Sequence, residues 1–167
     1  GPTVQPEAPA AKQPWEMTAE ETAAEFGVQL KRIPGLGGSY GSTEITVGTD
    51  ATPYRPFTGN PLDGPDVVAS REVPGDVVTA AHEGFHRRFT DDSPAGHVAL
   101  QTMNSKGVEN GFEMLVDLAT VDRFDSKALD TIDPEIAAAV RTWARKPPAV
   151  SAAKQPEVPA AKQPWEM

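Results

Sequence analysis

The sequence predicts a small α+β domain in which short strands precede a mainly helical half. Two segments, residues 26–33 and 42–47, alternate apolar and polar side chains with the period of two that is typical of strands. After residue 75, apolar residues recur at helical spacing. Both ends are rich in Pro, Ala, Lys and Gln, a composition that is not expected to fold. The chain therefore divides into one domain, residues 18–146, and two Pro-rich tails, residues 1–17 and 147–167.

Capping and turn residues set the boundaries of the predicted elements. Thr18 and Glu21 have the spacing of a capping box, which predicts a helix over residues 19–25. A glycine-rich turn at residues 34–38 separates the two strands, so we expect an antiparallel hairpin or sheet. The proline-rich residues 49–75 predict a long loop. Further helices are expected at residues 76–90, with Asp76 as N-cap, and at residues 98–103, 109–120 and 136–145.

Composition excludes several classes of function. The chain has 15 basic and 24 acidic residues and a net charge of −9, so neither a nucleic-acid surface nor a basic membrane-binding patch is expected. No apolar run reaches transmembrane length, and the N-terminus has no signal-peptide pattern. The absence of cysteine excludes disulfides and thiolate metal ligands. It leaves the compartment open, because a cysteine-free chain can be exported or cytosolic.

The motif with chemical content lies within residues 77–89. His82, Glu83 and His86 have the HExxH spacing, and positions i and i+4 of a helix share one face, so the two imidazoles can approach one metal ion. Two of the three histidines in the chain fall in this motif, after an apolar run that should be buried. Glu83 then lies beside the imidazoles, where it can act on a water molecule. The alternative is an ordinary exposed helix with two solvated histidines.

At these residues the chain resembles the zincin superfamily of zinc metallopeptidases, whose members use two such histidines as ligands and the intervening Glu as general base. The resemblance implies Zn²⁺ as cofactor, His82 and His86 as its ligands, Glu83 as the catalytic base, and a protein or peptide as substrate. It also implies that the strand before this helix forms the rim of the cleft and pairs with extended substrate. That strand corresponds to residues 42–48, with Ser42, Ile45 and Val47 as candidate edge residues.

The third metal ligand is expected from a later segment. Glu109, Glu113 and Asp117 lie at i, i+4 and i+8 on one stripe of a predicted helix. In gluzincins, a second helix donates a Glu, and an acid four residues later orients the first histidine. This resemblance implies Glu113 as ligand and Asp117 as the orienting acid, with Glu109 as the alternative ligand. The acids could instead solvate one helix face. Asp92 has the metzincin spacing but is disfavoured, because Phe89 stands where a glycine turn is required.

Peptide hydrolysis also requires a group that stabilises the oxyanion of the transition state. The candidates are the zinc ion itself, His97, Tyr40 and Tyr54, and the sequence does not rank them. An equally good interpretation of His97 is a polar residue that opens the helix predicted at residues 98–103.

The two tails contain a repeat. Residues 5–17 read QPEAPAAKQPWEM, and residues 155–167 read QPEVPAAKQPWEM. Proline at this density predicts an extended, polyproline-like conformation. The repeats fit a low-complexity linker. The Pro-Trp-Glu-Met segment also fits a short motif that binds a partner, or a processing site that the domain itself could cleave.

These observations together predict a small zincin-like domain with zinc-dependent endopeptidase activity. A compact, cysteine-free zincin between disordered linkers resembles a bacterial effector or toxin peptidase, which implies a secreted or translocated protein with one dedicated protein substrate. The alternative is a non-catalytic, zincin-like binding module whose Pro/Trp repeats recruit a partner protein.

Overall fold

The computed structural model describes residues 12–35, 37–41, 43–91 and 93–145. The predicted α+β class is confirmed, because these residues form five α-helices, two 3₁₀-helices and seven short strands. Of the two predicted tails, only residues 12–17 fall within the described part of the chain. They contain a 3₁₀-helix with Pro14 at its first position, so this part of the repeat is not extended as predicted.

One 3₁₀-helix and one α-helix precede the seven strands, and the remaining helices follow the strands. The helices are α1 (Ala19–Glu25), α2 (Gly75–Asp91), α3 (Pro94–Ser105), α4 (Phe112–Phe124) and α5 (Pro134–Ala144), with 3₁₀-helices η1 (Pro14–Glu16) and η2 (Ser126–Thr131). The strands are β1 (Gln29–Ile33), β2 (Gly38–Tyr40), β3 (Glu44–Gly48), β4 (Pro53–Tyr54), β5 (Phe57–Thr58), β6 (Val67–Val68) and β7 (Val73–Pro74).

The main sheet is mixed and has the strand order β1-β3-β2. Strand β1 pairs with β3 in parallel, and β2 pairs with β3 antiparallel. The antiparallel pairing predicted between the first and second strand segments is therefore wrong. The reason is that residues 38–40, which begin at the last residue of the predicted turn and were not predicted to form a strand, form a third strand on the far side of β3. The predicted loop of residues 49–75 contains two further strand pairs, β4 with β7 and β5 with β6.

Local backbone signals explain where the helices begin. The capping box is formed as predicted, with the Glu21 amide donating to Thr18 Oγ1 over 3.0 Å and the Thr18 amide to Glu21 Oε1 over 2.9 Å. Asp76 is not an N-cap, because α2 already begins at Gly75; its carboxylate instead pairs with Arg32 over 3.0 Å. Helix α4 begins three residues later than predicted. Asn110, with a φ of 53°, lies in the left-handed region just before it.

Two buried clusters fix α2 between the sheet and the other helices. On the sheet side, Ile45 and Val47 of β3 are fully buried with Ala80 of α2 and two alanines of α1. On the other side, Phe85 of α2 packs against Trp143 of α5, with ring centroids 5.5 Å apart. Because α2 is buried on both sides, the direction in which its polar residues point is set by packing. Among the residues that the structure describes, no helix combines the length and the apolar character needed to cross a membrane.

Candidate metal centre

The rotation of helix α2 is fixed by a close aromatic contact. A Cβ atom at Gly84 would lie 2.6 Å from the ring of Phe26, so only glycine lets that ring pack directly on the helix. Phe26 in turn meets Phe85 edge to face, with centroids 5.0 Å apart. Since Phe85 is buried in the core, the neighbouring positions His82 and His86 are turned toward α4 and β2.

Both histidines converge on one carboxylate of helix α4. Nε2 of His82 lies 3.0 Å from Oε2 of Glu113, and Nε2 of His86 lies 3.1 Å from Oε1 of the same residue. The three potential ligand atoms all lie within 4.8 Å of one another. The structure therefore brings together the two motif histidines and Glu113, the residue preferred as third ligand.

The other nitrogen of His82 also faces an acid. Its Nδ1 atom lies 3.3 Å from Oδ1 of Asp117, four residues after Glu113 on α4. A neutral imidazole has one N–H and one lone pair, so a ring that donates to Asp117 turns its lone pair toward the Glu113 oxygen. Such a pair of acceptors needs a proton or a cation between them. Asp117 thus occupies the orienting position implied for it.

The donor set fits a divalent ion. Two imidazole nitrogens and one carboxylate oxygen form a ligand set that Zn²⁺ accepts, with a fourth position left for water or substrate. These residues could hold a metal ion. Packing holds the His86 ring in place: it is stacked on Tyr40 (centroids 5.1 Å apart, planes at 4°) and meets Phe112 at 5.1 Å.

Burial and neighbouring charges shift the pKa values of the motif residues. Burial raises the pKa of Glu83; His82 opposes this shift and Glu113 adds to it. Burial lowers the pKa of His82, but the hydrogen bond and charge of Asp117, together with the other acids, outweigh it, and the net shift is upward. The pKa of His86 is lowered by burial first and by His82 among the neighbouring charges. A raised pKa makes Glu83 a stronger base than an exposed glutamate.

A cleft of about 320 Å³ opens beside His82 and Glu83. Its wall on the β2 side depends on Gly38: a Cβ atom there would lie 2.6 Å from Cγ2 of Thr79 and 2.8 Å from the carbonyl oxygen of Thr46. Glycine is therefore required for β2 to lie directly on α2. The remaining lining includes Asp117 of α4, Tyr54 of β4, Phe57 of β5 and Pro56 between these two strands.

The three candidate residues for oxyanion stabilisation occupy different places. Tyr54 lines the cleft, and burial together with the charge of Asp117 raises the pKa of its phenol. Tyr40 is stacked on His86 and 44% exposed, and it is not one of the described residues that line the cleft. His97 is exposed within α3, packs against Phe89 at 5.1 Å, and is not one of the described residues that line the cleft.

Two predicted assignments are corrected by the structure. Ile45 and Val47 are fully buried, and β3 is the central strand of its sheet, so this segment is not an exposed edge for substrate. The edge strand nearest the histidines is β2. Glu109 is exposed and precedes α4, and it is not part of the group formed by the histidines and Glu113. Ser42 and Asp92 lie outside the described residues.

Phe57 is the largest of the cleft residues that were not predicted from the sequence. It lines the cleft from β5 and is 62% exposed, which is unusual for so large an apolar side chain. Its only signal in the sequence was an aromatic residue inside a proline-rich loop.

Comparison of the chain with protein-family models, with curated proteins and with solved structures finds no match. The interpretation of the site therefore depends on its own residues and geometry.

Proposed function

We propose that the protein is a zinc-dependent endopeptidase. The observation that carries the proposal is the convergence of potential ligand atoms of His82, His86 and Glu113 within 4.8 Å, with Glu83 lining the same cleft as His82. Glu83 is not one of the three residues that could hold the ion. A carboxylate that borders a metal site without belonging to the ligand set is placed to move protons.

Zn²⁺ held by these residues would supply Lewis-acid chemistry toward a water molecule and the carbonyl of the scissile peptide bond. Glu83 would accept a proton from the attacking water and deliver it to the leaving amine nitrogen. Asp117 would hold the His82 ring in the orientation that turns Nε2 toward the ion, through its 3.3 Å contact with Nδ1.

Tyr54 is the best candidate for stabilising the oxyanion. It lines the cleft, and a tyrosine is protonated at neutral pH, so its hydroxyl could donate a hydrogen bond to the oxyanion; burial, which raises its pKa, favours the same protonated form. Tyr40 supports the site differently, by packing on the ring of His86.

The substrate would be an extended segment of a protein. Strand β2 is an edge strand, and Gly38 lies in the cleft wall, so a peptide could add to the sheet there by backbone hydrogen bonds. The exposed ring of Phe57 favours an apolar side chain near the scissile bond. The resemblance to small effector and toxin peptidases supports a single dedicated protein substrate.

The test is the variant Glu83→Gln, compared with wild type and with Glu109→Gln, which changes an exposed glutamate outside the site. Each protein is incubated with zinc and a proteome-derived peptide mixture, and cleavage is followed by mass spectrometry. Glu83→Gln should retain the metal and lose at least ~100-fold in cleavage rate, whereas Glu109→Gln should behave as wild type. Cleavage by Glu83→Gln at the wild-type rate would exclude the proposed base. In the same experiment, the mass of the protein itself shows whether the domain cleaves the repeats in its own tails.

A second candidate function is a non-catalytic binding module. It is favoured by the packing of the first repeat copy, through Trp15, against the domain. Wild-type protein that binds zinc but cleaves no peptide would support this candidate over the endopeptidase.

A further inference from the structure

The first copy of the repeat is docked on the domain through its tryptophan. Trp15 packs against a buried cluster at the start of α2 and the end of α4, and the guanidinium of Arg71 lies over its ring at 3.6 Å from the centroid. We call this surface the tryptophan groove; it is formed by Arg71 and Arg123 together with the buried cluster of Val73, Val77, Val78, Ala81 and Phe124.

Residues on both sides of Trp15 add specific contacts. Nη2 of Arg123 donates to Sδ of Met17 over 3.4 Å, and Nζ of Lys12 pairs with Glu21 over 2.9 Å. The motif also holds its own shape, because the Gln13 amide donates to Oε1 of Glu16 over 3.0 Å. The groove therefore contacts an aromatic and a thioether side chain, and the basic side chain of the motif pairs with Glu21 of α1 beside it.

The second copy of the repeat contains the same side chains. Residues 159–167 are identical to residues 9–17, so Lys162, Trp165 and Met167 correspond to the three residues that make contacts in the first copy. No residue of the docked segment, from Lys12 to Met17, lacks an identical counterpart. A groove that accepts one copy has the chemistry to accept the other.

We propose that the tryptophan groove is a binding site for the Lys-Gln-Pro-Trp-Glu-Met motif, and that the C-terminal copy of one molecule occupies the groove of a second copy of this chain. Exchange between identical segments leaves the contacts unchanged. The N-terminal copy is held next to the groove because only Thr18 separates it from α1, so its effective concentration there is high. The free-energy cost of exchange is the loss of this high effective concentration. Exchange of identical elements is a common route to association between copies. The proposal does not depend on the metal centre.

The groove is tested with a receptor in which neither copy carries tryptophan, the full-length double variant Trp15→Ala/Trp165→Ala. A fluorescent peptide of sequence PAAKQPWEM is titrated into it and followed by anisotropy; the control peptide has alanine in place of tryptophan. We expect saturable binding of the first peptide and at least ~10-fold weaker binding of the control. Adding Arg71→Ala to the receptor should weaken binding by about 2–30-fold, the range of one cation–π contact. Circular dichroism checks that each receptor is folded. Equal binding of the two peptides, or no saturation by a folded receptor, would overturn the proposed site.

Occupation by a second copy is tested by sedimentation velocity. Trp15→Ala vacates the groove while keeping the C-terminal copy, so it should associate as its concentration rises. Trp15→Ala/Trp165→Ala should stay monomeric at the same concentrations. A Trp15→Ala variant that stays monomeric throughout, whether its groove is empty or filled by its own C-terminal copy, would contradict the exchange between molecules.

Discussion

Helix α4 carries two acidic side chains, Asp122 and Glu113, whose negative charges face different kinds of partner. The carboxylate of Asp122 is 3% exposed and binds the guanidinium of Arg145 over 2.8 Å, with Arg141 at 3.7 Å. The carboxylate of Glu113 is 57% exposed and faces two imidazoles. Glu113 and Asp122 are nine positions apart on the helix, which places them about 180° apart around its axis. One side of α4 thus carries a buried ion pair that stabilises the fold, and the other side faces the histidine motif.

The difference lies in the charge of the partners. Arginine is always protonated, so the buried Asp122 has permanent counter-charges. A histidine is charged only when it is protonated, so Glu113 has no permanent counter-charge among its partners. The ion pairs of Asp122 are complete within the protein, whereas the charge of Glu113 is balanced only when a histidine is protonated or a divalent ion is bound. This contrast separates a structural acid from a candidate ligand.

The largest effect on metal binding is expected from Glu113→Ala. This variant removes one of three ligands, so metal affinity should fall by more than the ~100-fold that loss of an outer partner can cost. Stability of the metal-free protein should change little, because the side chain is mostly exposed. Calorimetric zinc titration measures the affinity, with Glu109→Ala as the control. If Glu113→Ala bound zinc as tightly as wild type, the two acidic sites would not differ as proposed.

Asp122→Ala should have the opposite profile. Two arginines lose their shared buried partner, and because both are partly exposed, we expect a loss of about 1–3 kcal/mol in the free energy of unfolding. Zinc affinity of the folded variant should match wild type. Urea denaturation and zinc titration test the two halves of this prediction, and a zinc affinity that fell with stability would show that the two sides of α4 are coupled.

Asp117→Ala tests the acid that lies behind His82. Loss of its contact with Nδ1 should lower metal affinity by about 10–100-fold, less than the loss of Glu113. The same zinc titration measures it. An affinity equal to that of wild type would remove Asp117 from the site.

The smallest effect is expected from Arg145→Ala. Its side chain is 55% exposed and Asp122 keeps Arg141, so the loss should be below about 1 kcal/mol in urea denaturation. A loss as large as that of Asp122→Ala would mean that Arg145 alone compensates the buried acid.

The parts of the fold that were predicted correctly depend on local signals. The capping box of Thr18 and Glu21 specifies α1, and the four-residue spacing of His82 and His86 places both rings on one helical face whatever the tertiary fold. Strand β2 could not be predicted, because Gly-Ser-Tyr shows no alternation of buried residues and its pairing depends on contact with β3 and α2.

The identity of the third ligand could not be predicted from the sequence. Glu109 and Glu113 lie one helical turn apart on the predicted stripe, so spacing alone could not separate them. The left-handed backbone of Asn110 excludes Glu109 from α4, and only the packing of α4 against α2 brings Glu113 to both histidines. Tyr40 and Tyr54 could not be ranked for the same reason, since their distance from the motif depends on the tertiary fold.

The most direct test of the account is the metal content of purified full-length protein, measured by mass spectrometry of the elements beside the triple variant His82→Ala/His86→Ala/Glu113→Ala. The account predicts about one zinc per wild-type chain, as expected for one site of this ligand set, and none in a triple variant that circular dichroism shows to be folded. Equal zinc in the two proteins, or no zinc in wild type after incubation with excess zinc and desalting, would contradict it.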